Sequence, residues 1–113
     1  MSPHRLRLDH DALFSEAKPL GKPIGEPVAT AKIALPLESA VADMGFWECS
    51  VGKFEREIMQ AEYSYFIKGS GRFTPVGGDA IEFQAGDGLY FEANTHGVWE
   101  IDEPACKTYV IFK

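Results

Sequence analysis

Cysteine is scarce in this chain: Cys49 and Cys106 are the two among 113 residues. That is too few for a disulfide framework or a thiolate zinc site. Both lie among strand-like residues and are expected to be buried thiols acting as small hydrophobes. Positive charge is also in short supply, with 11 Lys and Arg against 17 Asp and Glu and a net charge of −6. Phosphate backbones would be repelled, so a nucleic-acid partner is not expected. No apolar run approaches the roughly 20 residues of a membrane helix. The opening MSPHRLRLDHDALF carries charges throughout and lacks the apolar centre of a secretory signal. No membrane partner is expected, and the cytoplasm is the default location. Histidine is limited to His4, His10 and His96.

Regular structure is scarce at the start as well. Residues 1–27 hold Pro3, Pro19, Pro23 and Pro27 and sustain no period, so they cannot carry a regular ladder. Asp9 or Asp11 can cap a short helix over 9–17. The expectation is an N-terminal arm that wraps the body or a partner subunit, with plain disorder as the competing reading.

What the rest offers is strands. VATAKIAL (28–35) alternates weakly and reads as an edge strand. FWECSVG, KFEREIM and YSYFIKG follow, rich in aromatic and β-branched residues. Gly69-Ser70-Gly71 is then read as a turn before RFTPV, and Gly77-Gly78-Asp79 as a hairpin connection. AIEFQ, the turn Ala85–Gly88, LYFEA, VWEI, a turn at Asp102-Glu103-Pro104 and the strand KTYVIF complete the chain. About eight short strands, roughly 8–12 residues apart, indicate an all-β sandwich or closed barrel. Residues 28–113 are read as that one barrel.

From about Gly45 to Phe112 the chain resembles a cupin, a double-stranded β-helix or jelly-roll-like barrel. Glu62 with Gly69 seven residues on resembles the acidic end of the first cupin motif. Gly86-Asp87, LYFEA and the turn Asn94 to Gly97 resemble the second. WECSVGKF and GVWEIDEPACKTYVIF resemble one subgroup, the small cupins related to the C-terminal barrel of (S)-ureidoglycine aminohydrolase and to the ethanolamine-utilisation cupin. The resemblance places the family's metal ligands at Arg56, Ile58, Glu62 and Gly97, of which Glu62 alone is of ligand type. A guanidinium, an isoleucine and a glycine side chain offer no donor. No metal and no cofactor are therefore expected. His96, one place before the vacated Gly97, would face away unless a bulge intervenes.

With Glu62 turned inward, strand parity puts Ser64 and Phe66 on its face, Arg56 and Ile58 inward on a neighbouring strand, and Gly97, Trp99 and Ile101 on another. An Arg56–Glu62 ion pair is expected where the metal would sit, because neither charge is tolerable alone inside. Trp47 and Trp99 are expected as pocket walls. The leading expectation is a barrel that binds a small polar, anionic metabolite through Trp47, Arg56, Glu62 and Trp99. The alternatives are a hydrolase or isomerase with atypical metal ligands, a metal-free catalyst using Glu62, or an accessory subunit. Open sheet edges favour a homodimer.

Overall fold

The computed structural model describes residues 1–113 as nine strands and no helix. Two strands are unusually long, and the others are arranged along them: β6 (Glu62–Pro75) and β9 (Thr95–Phe112) run antiparallel as partners over most of their length. The C-terminal half of β9 pairs with β4 (Ala42–Cys49), and β4 pairs with β3 (Thr30–Glu38). The N-terminal half of β9 pairs with β5 (Gly52–Ile58). On its other side β6 pairs first with β8 (Gly88–Phe91) and then with β7 (Ile81–Gln84). The β6–β9 pair thus carries one set of partners at one end and a second set at the other. Two sheet halves result, joined through a pair of continuous strands, and the chain has the expected all-β barrel architecture.

Two expected turns are absent. Gly69-Ser70-Gly71 and Asp102-Glu103-Pro104 both lie inside strands. The register shifts repeatedly between Phe66 and Gly71, and the inward positions of β6 change from even (Ser64, Phe66) to odd (Gly71, Phe73). From Phe66 to Gly71 β6 advances five residues while β9 advances six, from Lys107 to Ile101, and this bulged, out-of-step pairing redirects the strand into the second sheet half. Gly69 makes this possible. Its φ is +95°, and a Cβ there would lie 2.5 Å from Ala105 Cα. Glycine is required for close approach of the two strands, not for chain reversal. The hairpin at Gly77-Gly78-Asp79 does form, between β6 and β7.

The arm also departs from expectation. No helix forms over 9–17, since three residues after Asp11 the chain turns extended and Phe14 bridges Ala34 instead. Two short strands, β1 (Lys18–Pro19) and β2 (Lys22–Pro23), then add to β3 and β5. Prolines are tolerated there because each two-residue strand is an outermost one and has a single neighbour. The arm wraps its own body.

The core is aromatic. Trp99, Phe54, Phe66, Phe73, Phe83 and Phe91 are all buried, and Trp99 packs against four of the phenylalanines at ring-centroid distances of 5.0–6.2 Å. Tyr63, Tyr65 and Tyr90 lie on the opposite, exposed face. Both cysteines are buried and free, and burial pushes the Cys49 thiol up to about 12. Such a thiol is not a nucleophile.

Candidate functional site

Strand pairing brings the polar side chains together. Across β4, β9 and β6, Trp47, Lys107 and Phe66 are cross-strand neighbours. Across β5, β9 and β6 the corresponding row is Phe54, Trp99 and Phe73. The two rows face one another from the two sheet halves, and between them is a cavity of about 150 Å³. Trp47, Arg56, Glu62 and Trp99 all line it. So does Lys107, which the sequence pattern does not single out. The remaining walls are apolar, with Phe54, Ile58, Tyr109 and Ile111 among them.

Lys107 is 5% exposed and donates from Nζ to Glu62 Oε2 at 3.0 Å. Ser64 Oγ donates to the same oxygen, also at 3.0 Å. The ammonium lies 4.6 Å from the Trp47 ring centroid and 5.3 Å from that of Trp99, so it has a carboxylate on one side and aromatic faces on others. Burial pulls the Lys107 amine below its usual range, the Glu62 charge and hydrogen bond oppose that shift, and the nearby Arg56 charge adds to it.

The expected Arg56–Glu62 ion pair is therefore corrected: the partner of Glu62 is Lys107. Glu62 and Lys107 stand on adjacent strands of one sheet half, whereas Arg56 stands on β5, in the other. The Arg56 side chain remains exposed at the rim and forms no ion pair. An exposed guanidinium keeps its hydration, which a buried pair would have had to replace.

The positions that would carry a metal centre do not fit one. Ile58 is a buried hydrocarbon, Arg56 is a cation, and an ammonium is bonded to Glu62. At Gly97 the ring of Phe73 fills the space a side chain would need, with its Cζ 2.5 Å from the site of a Cβ. His96 is half exposed, on the outer face, with Nε2 3.4 Å from Glu57. No three His, Cys, Asp or Glu side chains converge anywhere.

The turn expected at Asp102–Pro104 is what hides Lys107 in the sequence. Taken as one strand, β9 returns after the exposed Asp102–Pro104 to the parity of Trp99 and Ile101 at Ala105, Lys107 and Tyr109, all buried. The signal is present in the spacing and is lost when the strand is divided.

The fold matches known proteins over most of its length. EutQ of Clostridium difficile superimposes with a TM-score of 0.69 at 15% identity, covering 87% of this chain and 80% of that one. A putative ethanolamine utilisation protein Q of Salmonella typhimurium gives 0.64 at 13% identity, covering 76% and 70%. A DUF861-family protein of Thermotoga maritima gives 0.58 at 27% identity, covering 59% and 76%. No curated protein matches by sequence. The model of the EutQ-like cupin domain matches residues 37–109, from the end of β3 to Tyr109 of β9. With that match spanning well over half of the chain, the protein belongs to the EutQ-like cupin family.

Proposed function

We propose that the barrel binds a small anionic metabolite, with its anionic group on Arg56 and its body against the Trp47 and Trp99 walls of the cavity. One observation carries this reading. Lys107 already satisfies Glu62, so the Arg56 guanidinium at the same cavity is left without a carboxylate. A guanidinium offers two parallel donors to a carboxylate or phosphate. The size of the cavity, about 150 Å³, suits a ligand of benzene dimensions, roughly six non-hydrogen atoms. We read the resemblance to the barrel of (S)-ureidoglycine aminohydrolase as one of fold, because that enzyme's ligand set is not matched in register.

Thermal-shift and calorimetric titration with a panel of small carboxylates and phosphates tests the reading. Arg56→Ala is expected to weaken binding by roughly 10- to 150-fold, the equivalent of a charge-assisted hydrogen bond of about 1.5–3 kcal/mol. Its melting temperature should stay that of wild type, since the side chain is exposed. No saturable binding, or equal binding by Arg56→Ala, overturns the reading.

We further propose that two copies pair through the outer face of β6, where Tyr63, Tyr65 and Ile67 stand exposed beside Tyr90 of β8. Contiguous exposed apolar surface of this kind marks interaction sites, and a two-fold pair is the simplest closed solution. Light scattering should give twice the 12.5 kDa chain mass. The double variant Tyr65→Lys, Tyr90→Lys should give the single mass, and a monomeric wild type removes the proposal.

A further inference from the structure

Anion binding at Arg56 makes no use of the amine that lies inside the cavity. A lysine whose only purpose was to neutralise Glu62 need not face a ligand, yet here the amine lines the ligand space itself. Its neighbours make up the set needed for carbonyl chemistry. Glu62 is 3.0 Å from Nζ and can take and return a proton. Trp47 and Trp99 stand over the nitrogen at 4.6 and 5.3 Å and stabilise positive charge on it. Arg56 lines the same cavity and provides an anchor for an anion.

We propose that the cavity takes a small 2-oxo acid, whose carboxylate rests on Arg56 and whose ketone or aldehyde carbon is captured by Lys107 as a reversible imine. The proposal rests on the anion-binding reading and names its ligand class. The step balances without a further reactant. Glu62 accepts a proton from the Lys107 ammonium, freeing the nitrogen lone pair. That pair forms the N–C bond as the carbonyl π pair moves to oxygen, and oxygen takes the proton back to give a carbinolamine. The nitrogen lone pair then expels the hydroxyl, which leaves as water with the nitrogen's second proton, delivered through Glu62. Ammonium and carbonyl become iminium and water, so one positive charge stands beside Glu62 and the two indoles both before the step and after it. Burial supports the step, because it favours the neutral, nucleophilic amine. Surface lysines at neutral pH hold about one free amine in a thousand or fewer.

Pyruvate with sodium cyanoborohydride at neutral pH provides the test, since the hydride reduces an iminium to a stable secondary amine. The intact chain should gain the mass of one pyruvic acid less one oxygen. Peptide mapping should place it on Lys107, at least tenfold above any of the other lysines or the Met1 amine. Lys107→Met should abolish the adduct, and Glu62→Gln should slow its formation at least tenfold. Label spread over the surface lysines, or confined to Met1, overturns the inference, and this readout needs only the wild-type chain. Lactate, which has nearly the same size and the same charge but a hydroxyl in place of the ketone, separates the two claims. If lactate and pyruvate both bind through Arg56 but Lys107 is not trapped, imine capture falls and the anion reading stands. If neither binds, both fall. Equal trapping in wild type and Arg56→Ala removes the assignment to 2-oxo acids.

Discussion

Replacing Trp99 with alanine is expected to destabilise the barrel by about 3–5 kcal/mol, the range for deleting a large buried aromatic. Trp99 is 3% exposed and lies where the two sheet halves meet. Its indole contacts Phe73 at 5.0 Å, Phe91 at 5.5 Å, Phe83 at 5.7 Å and Phe66 at 6.2 Å, and faces Trp47 at 6.4 Å. No neighbour can fill the void without leaving its own place, because each is itself a ring held on β4, β6, β7 or β8 rather than on β9. Against a domain stability of about 5–15 kcal/mol, a loss of this size brings the chain near its unfolding threshold. Urea melts should show a lower midpoint with an unchanged slope, and Trp99→Phe should lose less than half as much. A loss below about 1 kcal/mol for Trp99→Ala would mean that the indole is not the centre of the packing.

Breaking the Glu62–Lys107 pair from the acidic side should cost nearly as much. In Glu62→Gln the ammonium of a 5% exposed lysine loses its charge partner, and an unpaired buried charge costs about 3–5 kcal/mol. Adding Lys107→Met should recover most of that loss, because a buried pair replaced by packed apolar groups is often neutral. The pH dependence has a definite sign. The Lys107 amine in the folded chain lies below the 10.5 of a free lysine, so between those two values the unfolded chain binds more protons. Stability therefore rises with pH through that window, and the full cost of the buried charge is present below it. Removing Glu62 takes away the two effects that hold the amine up, which widens the window downward. The deficit of Glu62→Gln should accordingly be greatest at neutral pH and shrink toward 10.5. A pH-independent deficit would mean that the lysine is not the group responsible.

The strands are legible in the sequence because aromatic and β-branched runs punctuated by glycine leave few alternatives. The inward face of β6 follows from parity once Glu62 is placed, and Ser64 and Phe66 are indeed fully buried. Parity fails where a bulge or a false turn interrupts it. Gly69 reads as a turn residue in any local window, and only the approach of Ala105, 36 positions along the chain, shows why glycine is needed. Asp102-Glu103-Pro104 reads as a turn for the same local reason, and dividing β9 there conceals Lys107. The identity of the counter-ion to Glu62 depends on which strands are neighbours. Arg56 and Lys107 are both cations of inward parity, and only the pairing of β9 with β6 decides between them. The arm is the least legible part, because backbone pairing with β3 and β5, not side-chain pattern, holds its two short strands.

The central claim is that a lysine occupies the polar centre of this barrel, bonded to Glu62 and enclosed by aromatic rings. Lysine side chains labelled with carbon-13 at the ε position and followed by NMR through a pH titration test it most directly. One resonance should titrate below all the others, carry ring-current shifts from Trp47 and Trp99, move lower still in Glu62→Gln, and vanish in Lys107→Met. Lysine resonances that all titrate together near 10.5, unchanged by Glu62→Gln, would contradict the account.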